Sequence, residues 1–338
     1  MSDVRILQVG MGPLGRMMSR YISERSGMRI TGAVDVDPSL IGRALGELCP
    51  VPPATGAAAI RVSGSLGGAL GIEKADAALL TTESDMKRIT PQIIAIIAMG
   101  LPVVTTCEEL VYPWDTSPEL AAEIDGEAKR RGVCVLATGV NPGFMMDTLP
   151  ITLTAVCQRI DAVKVYRVQN AVHRRLPFQR KIGAGLTPVE FEAKHKEGTL
   201  RHVGLTESMH MIASRLGWHL ERIEETLTPI IAQRRITAQT MVIEPGMAAG
   251  VQQIGRGFAG KNERITLTFR ASVGEPEPHD TVEILGEPNV VSSIKGGVNG
   301  DLATCAIALN AIHSVVGAGP GLKTMVDIPP VSHVSTRR

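Results

Sequence analysis

Aromatic side chains are scarce in this sequence: Phe, Trp and Tyr together make up 3% of its 338 residues. A core must therefore be built from Val, Ile, Leu, Ala and Met, within an apolar content of 44%. Cysteine is also scarce. The five present, Cys49, Cys107, Cys134, Cys157 and Cys305, are odd in number and none stands in a CxxC spacing. That argues against a zinc site and for a reduced, cytoplasmic protein. The eight histidines show no HxxxH or HExxH spacing, so no metal is expected. A net charge of +1 removes the electrostatic case for nucleic acid or an anionic membrane as partner. No apolar run of spanning length and no leader-like segment is seen, and the N-terminus enters a strand pattern almost at once.

What is present is alternation. Val4–Val9, Met28–Val34, Ala77–Leu80, Pro102–Thr105 and Val133–Ala137 read as short buried strands. Helical patterns lie between them: Pro13 to about Arg25, Ile41–Leu48, Met86–Met99 and Pro118–Arg131. Strands alternating with helices predict βαβ units and a parallel, doubly wound sheet. Beyond residue 140 the pattern changes. Asp161–Ala171 alternates as a strand, Thr187–Gly198 and Thr206–Leu216 read as helices, and the stretch from Ile223 to Ile294 is mostly strands, including TAQTMVIE. A last helix is expected over Asp301–Val316. The fold class expected is α/β: an N-terminal Rossmann domain over residues 1–140, and an α+β domain on a mixed or antiparallel sheet over 141–300. Residues 301–338 form a helix and tail packing back on the first domain.

Gly10-Met11-Gly12-Pro13-Leu14-Gly15 fits G-x-G-x-x-G between a strand and a helix. Asp35 closes the next strand, twenty residues after Gly15. That context is what dinucleotide binding requires. Gly10 allows a tight turn, Gly12 lets a pyrophosphate approach backbone, Gly15 lets helix pack on strand, and the helix N-terminus faces the phosphates. Asp35 suits a ribose 2′-hydroxyl and so NAD, while Arg16 leaves NADP open. Thr81, Thr82 and Ser84 follow a strand end, where they border the cofactor, cap the next helix, or both.

By the same rule Thr105–Glu109, with Thr106 on its cofactor side, and residues 138–147 belong near the nicotinamide half. Asn141 before Pro142 fits a helix N-cap, which does not account for the small residues Thr138, Gly139 and Gly143; a turn that small lets a flat ring lie against backbone. Glu108 and Glu109 fit the acidic first turn of a helix, and Glu109 is read as a solvated helix-start acid and no more. The position of Glu108 at a strand end equally fits a catalytic acid.

The segments VNPGFMMDTLPITLT, HRRLPFQRKIGAG and HVGLTESMHMIASRLGW resemble 2,4-diaminopentanoate dehydrogenase and the related NAD(P)-dependent amine dehydrogenases, whose fold is similar to dihydrodipicolinate reductase. The resemblance implies oxidative deamination of a primary amine to a ketone and ammonia, and the reverse reductive amination. It implies Glu108 as the key acid and a second domain that builds the substrate pocket and a homodimer, while the strand-end rule places Asn141 beside the cofactor. Val140, Phe144, Met145, Leu176, Phe178, His202 and Thr304 are the pocket candidates, with Phe144 and Met145 equally readable as core. Arg174, Arg175, Arg180 and Lys181 fit either a substrate carboxylate or a solvated face. The His-rich and Ser-Gly-Thr segments of dihydrodipicolinate reductase are not found, which argues against that reaction. The alternatives are reduction of another imine or carbonyl on this scaffold, and a non-catalytic dinucleotide sensor.

Overall fold

The computed structural model describes residues 3–334 apart from 53–55, 72, 173, 175, 201, 239 and 240. Arg175, among the basic residues weighed above, lies outside them. The chain divides into two compact units, Met1–Phe144 with Gly300–Arg338, and Met145–Asn299.

In the first unit β1 (Val4–Val9), β2 (Met28–Val34), β3 (Val62–Ser63), β4 (Ala77–Leu80), β5 (Val103–Thr105) and β6 (Cys134–Ala137) alternate with helices. These are α1 (Pro13–Glu24), α2 (Leu45–Leu48), α3 (Leu66–Leu70), α4 (Met86–Ala98) and α5 (Pro118–Arg131). The second unit holds α6 (Thr148–Leu153), β7 (Arg159–Asn170), α7 (Leu176–Lys181), α8 (Pro188–Lys196), α9 (Leu205–Arg215) and β8 (Arg222–Ile231). It continues through β9 (Ile236–Thr237), β10 (Val242–Ile243), β11 (Ala248–Ala259), β12 (Asn262–Ser272), β13 (His279–Glu287) and β14 (Val290–Lys295). The chain returns to the first unit in α10 (Gly300–Gly317) and β15 (Gly321–Lys323).

The first sheet is parallel throughout, in the order β15-β6-β5-β4-β1-β2-β3. Strand order reverses between β1 and β4, the switch point where such sheets bind ligands beyond their carboxyl ends. β4 and β6 are buried at every residue, as strands covered on both faces must be. α1 buries Gly15, Met18, Ser19 and Ile22, one helical stripe. α10 contributes Ala308, Leu309, Ala311 and Ile312 to the same aliphatic and methionine-rich core. It is also long and apolar enough, by composition, to cross a membrane.

The first unit departs from the sequence reading at several elements, among them β3 and α3, which were not expected. The helix expected over Ile41–Leu48 is only Leu45–Leu48. The C-terminal tail adds a seventh strand, Gly321–Lys323 pairing Cys134–Leu136.

The second sheet has the order β14-β13-β7-β12-β11-β8. It is mixed: β7 and β12 run parallel and the other neighbours antiparallel. The segment read as one strand, TAQTMVIE, instead contributes to the short pair β9 and β10, with residues 239 and 240 outside the described set. Phe191 and Phe269 lie in this unit's core. A buried ion pair is set into the sheet. Arg167 Nη1 donates to Asp280 at 3.0 and 3.1 Å, and both residues also bind the Val298 peptide.

Candidate active site

At the end of β1 the chain turns at Gly10, whose φ is 91°. A Cβ added there would lie 2.9 Å from the Thr81 carbonyl oxygen, and one at Gly15 only 1.9 Å from the Gly10 carbonyl oxygen. Gly12 is the opposite case, because nothing lies within 4 Å of its would-be Cβ. The inner side of the turn is packed shut and the outer side is open to a group approaching the backbone. Gly12 is the N-cap of α1 and Pro13 opens its first turn. The Leu14 and Gly15 amides thus belong to a helix N-terminus, suited to a pyrophosphate. The residues present fit a dinucleotide.

The turn is braced from behind. Asp35 accepts from the Met11 amide at 2.6 Å and from the Asp37 amide at 2.9 Å. Arg16 Nε donates to the Met11 carbonyl at 2.8 Å, while the Met11 side chain is buried. Gln8 Nε2 and the Thr81 hydroxyl both donate to the Gly10 carbonyl, at 3.0 and 3.1 Å. Thr81, read from sequence as bordering the cofactor, therefore points its hydroxyl at the turn's own backbone.

Thr82 is exposed and donates to Gln92 Oε1 at 2.7 Å. The cap of α4 is neither threonine nor Ser84 but Asp85, which accepts from the Arg88 amide at 2.9 Å. Ser84 offers its carbonyl to the Cys107 thiol at 3.2 Å and to the Glu109 amide at 3.4 Å. Burial pushes the Cys107 thiol far up, keeping it protonated. The Thr106 amide donates to the Leu80 carbonyl at 3.3 Å, joining the ends of β5 and β4.

Glu108 and Glu109 open a short 3-10 turn, Glu108–Leu110. Glu109 is not a solvated helix-start acid: its Oε2 accepts from the Met86 amide at 2.8 Å, at the start of α4. Glu108 is half-buried. Its Oε2 is shielded from solvent and, among the described residues, has no hydrogen-bond partner.

After β6, residues 138–144 fold back on themselves. The Thr138 amide donates to the Thr105 carbonyl at 2.9 Å, so this turn leaves the sheet beside the Glu108 segment. Gly143 has φ 119°, and a Cβ there would sit 2.5 Å from the Gly139 nitrogen. The Val140 amide donates to Thr304 Oγ1 at 3.2 Å, which ties the turn to α10. The expected helix start at Asn141 is absent. Residues 141–147 are turns, and the helix begins at Thr148 under an Asp147 cap. Asn141 is buried, and its bond to Pro142 is cis. Phe144 packs against the first unit's core.

Met145, Leu176, Phe178 and His202 belong to the second unit. Met145 is buried, and Leu176 opens α7 half-buried. Phe178 packs on that unit's core, with the Arg174 guanidinium 3.9 Å from its ring centre. The His202 ring lies 4.5 Å from that of Phe269, and its backbone is clasped by Gln253 at 2.7 and 3.1 Å. Burial, reinforced by the charges of Lys181, Arg167 and Arg174, pushes the His202 imidazole down to about 3, so it stays neutral.

Sequence reasoning passed over Gln8 and read Thr138 only as one small residue of its turn. Thr138 is 1% exposed, and its hydroxyl, like Glu108 Oε2, has no hydrogen-bond partner among the described residues. The available signal was a glutamine inside an apolar strand and a hydroxyl directly after one. Among the described residues no group of three or more His, Cys, Asp or Glu side chains converges as a metal site would.

Comparison with known proteins gives a consistent picture. Residues 144–337 match the family model of the 2,4-diaminopentanoate dehydrogenase C-terminal domain. The 2,4-diaminopentanoate dehydrogenase of Acetoanaerobium sticklandii is 31% identical over 336 residues, covering 97% of this chain and 94% of that protein. An amine dehydrogenase of Streptomyces virginiae is 22% identical, covering 95% of this chain and 94% of that protein. The solved structure of an amine dehydrogenase from Mycobacterium smegmatis shares the fold, with a TM-score of 0.83 at 24% identity over 98% of each chain.

Proposed function

This chain belongs to the 2,4-diaminopentanoate dehydrogenase family, and on that footing we propose that it catalyses the nicotinamide-dinucleotide-dependent oxidative deamination of a primary amine to a ketone and ammonia, and the reverse reductive amination. In the oxidative direction a substrate ammonium, water and the oxidised dinucleotide give the ketone, ammonium, the reduced dinucleotide and one proton. The dinucleotide supplies the hydride acceptor. The chain's residues do the rest: they hold the pyrophosphate at the N-terminus of α1, orient the amine, and move its proton.

The observation that carries the reading is the Oε2 of Glu108, just beyond β5, which has no hydrogen-bond partner among the described residues. The substrate nitrogen is cationic as ammonium and again as iminium. A carboxylate oxygen with no donor among the described residues is matched to it, and its attraction strengthens where water is excluded. Glu108 also has a lone pair for the proton the amine must lose before hydride leaves. Glu108→Gln keeps the shape and removes the charge. The expected outcome is a loss of at least about a hundredfold in kcat for amination, with dinucleotide affinity little changed. Turnover within a few-fold of wild type sinks the role.

The Asp35 carboxylate supports NAD over NADP, since a 2′-phosphate would meet its negative charge; the ratio of kcat/KM for the two decides. A homodimer would use the half-exposed face of the mixed sheet, the side of Arg264, Thr266, Thr268 and Arg270 on β12, which light scattering tests, and the free cysteines accord with a reducing cytoplasmic setting. A panel of ketones with and without ammonium separates amine dehydrogenation from reduction of another imine or carbonyl. Only ammonium-dependent turnover supports the first.

A further inference from the structure

Gln8 is the anomaly of β1. The strand VRILQV is apolar from Ile6 to Val9 except at this residue, which is fully buried. Its Nε2 donates to Thr81 Oγ1 at 2.9 Å, to the Gly10 carbonyl at 3.0 Å and to the Val9 carbonyl at 3.4 Å. Two backbone carbonyls beside one end of the amide identify that end as the nitrogen. The other end, Oε1, is buried and has no partner among the described residues. An unsatisfied buried acceptor is a net cost that an apolar side chain would avoid.

The amide is not required to satisfy its neighbours either. The Val9 carbonyl already accepts from the Thr81 amide at 2.9 Å, and the Gly10 carbonyl from the Thr81 hydroxyl at 3.1 Å. What Gln8 adds is a second tether on the Gly10 peptide. That is the peptide against which Gly15 packs, and it sets where α1 begins.

We propose that Gln8, acting with Thr81, is a positioning residue for the dinucleotide: it holds the Gly10 peptide so that the amides at the start of α1 are pre-set for a pyrophosphate. The proposal rests on the dinucleotide reading above. Stability is given up at Oε1 and recovered as preorganisation, which lowers the ordering cost of binding.

The sign of the stability change makes this testable. Gln8→Leu removes the unsatisfied acceptor and leaves the Val9 and Gly10 carbonyls and the Thr81 hydroxyl each with another partner, so the ligand-free unfolding temperature stays level or rises. The Kd for the reduced dinucleotide, read by its fluorescence, increases about tenfold, and its KM follows. The KM values for ketone and ammonium do not move. In the double variant with Thr81→Val the two losses are non-additive, because both act on one carbonyl. Unchanged affinity in Gln8→Leu overturns the proposal. So does a fall in unfolding temperature with every kinetic parameter degraded alike, which marks a purely structural residue. A wild-type chain that binds neither NADH nor NADPH overturns both this proposal and the reading beneath it. Normal wild-type binding with an unaffected Gln8→Leu overturns this proposal alone.

Discussion

The Glu109 carboxylate accepts the Met86 amide, so its loss strips a partner from the first turn of α4, where negative charge also favours the helix dipole. Glu109→Ala is expected to lower stability by about 1 kcal/mol while costing amination no more than a few-fold, as thermal unfolding and initial rates would show. A loss of turnover matching that of Glu108→Gln would mean the two acids share one role. Spacing could not separate them, because both fit the first turn of a helix. Strand-end position and the resemblance singled out Glu108, and the structure adds what each oxygen meets. One meets a backbone amide from another segment, and the other meets no protein donor among the described residues. Asn141 is a second case: its fit to a helix cap was a local pattern that the turn following β6 did not use.

The turn of residues 138–144 behaves as a unit. Gly143 lies at φ 119°, and a Cβ would stand 2.5 Å from the Gly139 nitrogen and 2.9 Å from both the Gly139 carbonyl oxygen and Thr138 Oγ1. Both obstacles on Gly139 are backbone, so the turn must open. Gly143→Ala should destabilise by about 1–3 kcal/mol and displace Thr138 beside the Glu108 segment, cutting amination at least tenfold. Gly132, at the end of α5, is the control. Its φ is 72° but nothing lies within 4 Å, so Gly132→Ala should cost about 1 kcal/mol and leave rates alone. Equal kinetic effects from the two would remove the link between turn shape and catalysis. The glycines were visible in the sequence. Which of them faces backbone and which faces open space was not.

For the molecule as a whole, acid sensitivity should carry the mark of His202. Its imidazole is held down to about 3 against an ordinary 6.5. Between those values the unfolded chain binds a proton that the folded chain does not. Its contribution to stability is therefore full above about pH 6.5 and declines as pH falls, by up to about 1.4 kcal/mol per pH unit. Denaturant midpoints from pH 7.5 to 4 should fall less steeply for His202→Gln, and parallel curves would assign the slope to other groups. The sequence by itself determined the alternation of strand and helix, the glycine turn with Asp35 beyond it, and the change to a strand-rich second half. These rest on periodicity and on short-range backbone needs, which a linear pattern carries. Tertiary structure alone decided the two- and three-residue strands β3 and β15, which are too short to show a period and exist because a neighbouring strand offers its edge. It alone decided the pairing of Arg167 with Asp280 across 113 residues. It also decided that Thr81 and Gln8 serve the turn from behind while Glu108 keeps an oxygen unspent. Hydrogen-bond partners and burial depend on what the folded chain brings near each atom, and residues far apart in sequence supply them.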